Sequence, residues 1–85
     1  MGKSERIFQN VLLGNSDANI DFNDFRRLLN DLGFSERIKG SHHIYAKAGV
    51  QEIINIQPSG NKAKPYQVRQ VRNIILKYRF TLTDE

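Results

Sequence analysis

The hydrophobic pattern changes period at Gly33, and that change limits the fold more than any other feature of the chain. Before it, Phe22, Phe25, Leu28, Leu29 and Leu32 recur at the spacing of one helix face. Asp21 stands where an N-cap belongs, and Gly33 supplies the C-terminal stop, with Phe34 free to pack back onto the last turn. After Gly33, short stretches alternate with turn residues. Phe34–Lys39 and His42–Lys47 flank Gly40-Ser41, a pair suited to a two-residue hairpin. Ala48-Gly49 makes a second turn, and Val50–Gln57, with Ile53, Ile54 and Ile56, supplies a third strand. Consecutive strands joined by short turns predict an antiparallel meander.

The flanks read as helices. Ser4–Leu13 forms a short one with Ser4 as N-cap and Ile7 and Val11 on one face, followed by a loop over Gly14–Asn19. Pro58–Lys64 reads as a polar loop, and Pro65 fits the first position of a last helix, where its missing N–H costs nothing. Val68, Val71, Ile75 and Tyr78 stripe that helix, and Arg69, Arg72, Lys77 and Arg79 decorate the rest. The apolar faces of the two long helices need a common surface, and one face of the meander offers it. The expectation is an α+β two-layer sandwich: a three-stranded antiparallel sheet with helices on one face. Residues 1–20 form an N-terminal extension, residues 21–80 the main domain and residues 81–85 a tail.

At 85 residues without cysteine, the chain has a thin core, no disulfide and no thiolate chemistry. It has no apolar run long enough for a membrane span and no signal-peptide core, so a cytoplasmic location without membrane contact is expected. The formal charge of +4 is unevenly distributed. Residues 1–33 carry four Lys/Arg against five Asp/Glu, and residues 34–85 carry nine against four. A basic half of this kind suits a polyanionic partner, nucleic acid foremost.

Both histidines, His42 and His43, follow the Gly-Ser turn. Adjacent strand residues point to opposite faces, so one shares a face with Ile44 and the other with Tyr45. Histidine exchanges a proton near neutral pH, as general acid or base work requires. RNA cleavage needs little more, because the 2′-hydroxyl already sits beside the scissile phosphate and cations need only stabilise the crowded phosphorus. A partly buried, hydrogen-bonded strand histidine is the structural alternative. Adjacent strand histidines diverge and suit a metal poorly, and Glu36 and Glu52 add no ligand spacing. Ser41 lacks a nucleophile-elbow context, and the glycines form no phosphate loop. No cofactor is expected. Lys62 and Lys64 flank the start of the last helix, where free N–H groups attract phosphate.

The run Lys39-Gly40-Ser41-His42-His43-Ile44-Tyr45 resembles the signature of HicA-family toxins. Phe25–Phe34 is similar to that family's first helix with its Leu-Gly-Phe end, and Gln57–Leu76 to its loop and last helix; the likeness spans residues 22–80. The resemblance implies a fold similar to a double-stranded-RNA-binding domain, an mRNA-cleaving activity and a HicB-type antitoxin that blocks the site. The family's catalytic histidine, the first after Gly-Ser, maps onto His42. Lys39, Ser41, His43, Lys47, Lys62, Lys64 and Arg69 are the residues expected to contact single-stranded or messenger RNA, and Arg37 could add phosphate stabilisation. A non-catalytic RNA-binding module of the same fold is the competing expectation, and an interaction protein docking an acidic partner is a third.

Overall fold

A computed structural model describes residues 2–82, so the end of the expected tail, residues 83–85, lies outside the described residues. The elements run α1 (Lys3–Leu13), a 3-10 turn (Asp17–Asn19), α2 (Phe22–Asp31), β1 (Ser35–Lys39), β2 (His42–Ala46), β3 (Ile54–Ile56), β4 (Pro58–Ser59), β5 (Lys62–Ala63) and α3 (Pro65–Tyr78). Strands β1, β2 and β3 form an antiparallel sheet in that order. The expected α+β architecture is present, with all the helices on one face.

α2 starts and stops for the reasons its sequence suggests. The Asp21 side chain accepts a hydrogen bond from the Asp24 N–H at 3.0 Å. At the other end Gly33 takes a left-handed φ of 97°, and the Phe34 N–H returns to the Leu29 carbonyl at 3.1 Å. Because Phe34 caps α2, β1 begins one residue later, at Ser35. The inner face of the sheet contributes Tyr45, Ile54 and Ile56, all buried, against Phe25, Leu28 and Leu29 of α2 and Val68, Val71, Ile74 and Ile75 of α3. Each such side chain contributes about 1.5–3 kcal/mol by leaving water.

α1 completes this core from the far side of the helices, burying Ile7, Phe8 and Val11 and packing on α2 and α3. It begins at Lys3 with Gly2 in the cap position, so Ser4 is not the N-cap. The Ser4 hydroxyl instead donates to the Asp31 carboxylate at the end of α2. Arg72 clamps the other end. Its guanidinium donates to both carboxylate oxygens of Asp17 at 3.0 and 3.1 Å and to the last-turn Val11 carbonyl at 3.0 Å. Arg72 is therefore a partly buried tie between α3, the 3-10 turn and the C-terminus of α1 rather than surface decoration. The bidentate geometry and the helix dipole both favour it.

Two further expectations change. The third strand is three residues long instead of spanning Val50–Gln57. The residues before it are committed elsewhere: the Val50 N–H turns back to the Lys47 carbonyl, the Gln51 N–H donates to the Tyr78 hydroxyl, and Glu52 accepts from Lys77 and Tyr78 at 2.7 Å each. Contacts with the end of α3 thus replace ladder bonds to β2. The segment Pro58–Lys64 is a small hairpin, β4–β5, instead of a loop. It docks on the start of α2 through Ala63 N–H to the Ile20 carbonyl (2.8 Å) and Phe22 N–H to the Asn61 carbonyl (2.9 Å).

One carboxylate joins α2 to the sheet. Glu36 Oε2 accepts from Arg26 Nε at 2.8 Å, from His43 Nδ1 at 3.1 Å and from the Tyr45 hydroxyl. Its Oε1 accepts more weakly from Arg26 and Asn30. The Arg26 guanidinium, helped by Tyr45 and His43 and opposed by burial, holds the Glu36 carboxyl down to about 2. Burial and then the facing carboxylate push the Tyr45 phenol up. A carboxyl with a lowered folded-state value stabilises the fold above its unfolded value, and that stabilisation is lost as pH falls toward 2. Glu36→Gln is therefore expected to lower stability at neutral pH and to flatten the fall between about pH 4.5 and 2. Glu52, also held at about 2 through Lys77 and Tyr78, keeps its own share of that slope. Urea unfolding at a series of pH values measures this, and an unchanged slope in the variant would remove the role given to Glu36.

Candidate functional site

The geometry of the site starts from the Gly40-Ser41 turn. Gly40 has a φ of 61°, a left-handed value at the first central position that L side chains avoid, and the turn closes the β1–β2 hairpin with Lys39 opposite His42. Alternation from that closing pair assigns every side chain of the hairpin to a face. Glu36 and Ile38 of β1 share the inner face with His43 and Tyr45 of β2, in register pairs Glu36–Tyr45 and Ile38–His43. Arg37 and Lys39 share the open face with His42 and Ile44, and Asn55 of β3 joins them opposite Ile44.

The two histidines therefore have different surroundings. His43 is enclosed, its side chain 12% exposed, with its ring edge-on to Phe22 at 5.1 Å and its Nδ1 donating to the Glu36 carboxylate. Through Nδ1 it ties β2 to the Glu36 carboxylate of β1. His42 is exposed on the open face, with Nδ1 3.2 Å from Asn55 Oδ1 and no protein hydrogen bond to Nε2 among the described residues. Beside it, Ser41 Oγ accepts from Gln57 Nε2 at 3.2 Å.

The basic residues expected to meet RNA divide along the sheet. Lys39 faces His42 directly. Gln57, bonded to Ser41, leads straight into β4, so the β4–β5 hairpin with Lys62, and Lys64 at the N-cap of α3, lie at the same end of the sheet as His42. Arg69 is exposed in the second turn of α3, which starts at that end. Lys47 is not among them. It follows β2 at the opposite end, about 16 Å away at the strand's rise per residue, with its ammonium 5.7 Å from the Phe80 ring centroid. A concavity lined by Gly2, Lys3, Ser4, Glu5, Arg27 and Asp31 lies at the start of α1, apart from both histidines. The groups capable of chemistry sit instead on an open face, which admits a polymer more readily than an enclosed small molecule.

Three further residues, Asn55, Gln57 and Gln67, join the site without a motif to mark them. Asn55 and Gln57 alternate with Ile54 and Ile56, so the period of two that buries the isoleucines also puts Asn55 on the histidine's face. Gln67 interrupts the apolar stripe of α3 and is 3% exposed. Its side-chain amide accepts from the Gln57 N–H at 3.2 Å and donates to the Asn55 carbonyl at 3.4 Å. It thus substitutes for a neighbouring strand along the free edge of β3, and satisfies backbone groups that burial would otherwise leave unpaired. A polar residue within an apolar helical stripe is the signal that could have marked it.

Among the described residues, no three His, Cys, Asp or Glu side chains converge as a metal-ligand group, and no helix is long and apolar enough to cross a membrane. Neither a curated protein nor a solved structure matches the chain. A family model does: the HicA toxin of bacterial toxin–antitoxin systems matches residues 22–77, from the first residue of α2 to the penultimate residue of α3. The matched segment contains the hairpin that separates the two histidines, the strand bearing Asn55 and the helix bearing Gln67, and the chain belongs to the HicA toxin family.

Proposed function

We propose that the chain is a metal-independent endoribonuclease that cleaves mRNA in the cytoplasm, with His42 as the proton-transferring group, and that a HicB-type antitoxin silences it by covering the same face. The observation that carries this reading is the exposed His42 imidazole on an open sheet face, opposite Lys39, in a HicA-family chain. In RNA the 2′-hydroxyl is the nucleophile, so the protein need only move protons and stabilise charge on phosphorus. Lys39 and Arg37 share the histidine's face and serve the phosphate. Ser41, Lys62, Lys64 and Arg69 hold the flanking RNA at that end of the sheet. His43 and Lys47, which share neither that face nor that end, are not assigned to the substrate.

Two experiments test this. His42→Ala is expected to lose roughly 10²–10⁴-fold in cleavage rate on a long RNA, with a much smaller change in affinity because phosphate contacts dominate binding. EDTA is expected to leave the rate unchanged, and His43→Ala to act mainly by lowering stability. A folded His42→Ala protein that cleaves at the parent's rate removes the assignment. So does loss of activity in EDTA that a divalent ion restores, and binding without any cleavage makes the chain an RNA-binding module. Separately, RNA affinity should fall steeply with salt as counterions are released. Replacing Lys62 and Lys64 together should reduce the slope of log K against log salt by about 1.4 on single-stranded RNA if each neutralises one phosphate. An unchanged slope moves the RNA path away from α3.

A further inference from the structure

We infer that Asn55 is a positioning residue for His42: by accepting a hydrogen bond from Nδ1 it holds the neutral ring in the form that leaves Nε2 bare, which makes His42 the general base of cleavage rather than the acid. This rests on the catalytic role proposed for His42. The contact itself is Asn55 Oδ1 to His42 Nδ1 at 3.2 Å. A carbonyl oxygen can only accept, so the proton between them belongs to Nδ1. A neutral imidazole carries one N–H, and the remaining lone pair is then on Nε2, for which no described residue provides a hydrogen-bond partner.

Asn55 is a fixed partner rather than a passing one. Its strand, β3, is three residues long and pairs with β2 through His43–Ile56, Ile44–Asn55 and Tyr45–Ile54. The outer edge of that strand is held by the buried Gln67 amide, which bonds the Asn55 carbonyl and the Gln57 N–H. Isoleucines on either side of Asn55 are fully buried, so the backbone beneath its side chain cannot turn. A short polar side chain mounted on a clamped strand is the arrangement that fixes a catalytic ring through its second nitrogen.

The consequence for the chemistry is specific. Nε2 takes the proton of the RNA 2′-hydroxyl as that oxygen forms a bond to the adjacent phosphorus, and the bond from phosphorus to the 5′-oxygen breaks. The products are a 2′,3′-cyclic phosphate and a 5′-oxygen that takes its proton from water. His42 is left as a cation with Nδ1 still bonded to Asn55, so the hydrogen bond survives the step and strengthens as charge develops.

Two-bond ¹H–¹⁵N spectra of the labelled full-length chain, recorded above the histidine titration, show which ring nitrogen carries the proton, and His43→Gln identifies the His42 signals. The parent is expected to carry it on Nδ1. Asn55→Ala is expected to shift the proton toward Nε2 and to lower kcat roughly 10-fold with KM nearly unchanged. Asn55→Asp keeps an acceptor in place. It should retain Nδ1–H and move the acidic limb of the kcat/KM profile to higher pH, because a carboxylate favours the charged ring. A neutral His42 protonated on Nε2 in the parent overturns the inference, as does an Asn55→Ala protein with unchanged spectrum or unchanged kcat. If His42→Ala is inactive while the parent spectrum shows Nε2–H, only the role of Asn55 falls. If His42→Ala retains full activity, the catalytic reading falls whatever the spectrum shows.

Discussion

The carboxylate of Glu36 is the point on which the remaining geometry turns. It is reached by Arg26 from α2 and by His43 and Tyr45 from β2, while Glu36 itself stands on β1. Three donors converge on one oxygen only in a single strand register. Displacing β2 by one residue would exchange the faces of the two histidines, putting His42 against Phe22 and His43 into solvent. This partly buried ion pair therefore determines which imidazole the open face receives. Burial of a charge is costly unless its partners are complete, and here every partner belongs to an element that positions the sheet.

Much of the fold could be read from the sequence because its signals are local. Asp21 and Gly33 mark α2 through groups within one turn, and Gly40-Ser41 marks the hairpin through the φ one residue must adopt. Local signals mislead where a distant element competes for the same polar groups. Val50–Ile53 looks like strand, yet Gln51 and Glu52 bond to Lys77 and Tyr78 at the end of α3. Ser4 looks like a cap, yet Asp31, 27 residues away, takes its hydroxyl. Lys62 and its neighbours look like loop because a two-strand hairpin carries little apolar pattern, and only its docking on residues 20–22 reveals it. Arg72 looks like surface charge until Asp17 and the end of α1 are brought to it.

The site divides in the same way. His42 and Lys39 could be found from the hairpin and its alternation, since both belong to one short stretch. Asn55 could in principle be assigned to their face, but that it meets the ring depends on the register of a strand much shorter than its apolar pattern suggests. Gln67 could not be given its role from composition, because an amide that completes a strand edge is defined by two backbone groups of another element. Opposite signs of the same effect appear at Glu36, which spacing alone treats as an isolated acidic residue and the fold treats as the centre of a network.

The dependence of β3 on Gln67 has a temporal side. A chain leaving the ribosome makes β1, β2 and β3 before α3, and until α3 arrives the outer edge of β3 has neither the amide that pairs it nor the apolar layer of Val68, Val71 and Ile75 that covers Ile54 and Ile56. α1, made before the sheet, waits as well, since Arg72 ties its last turn down from 61 residues away. Nascent chains that stop short of α3 thus carry His42 without the mount that orients its neighbour. The strand beside His42 is thus completed by the arrival of α3 rather than by closure of the sheet itself.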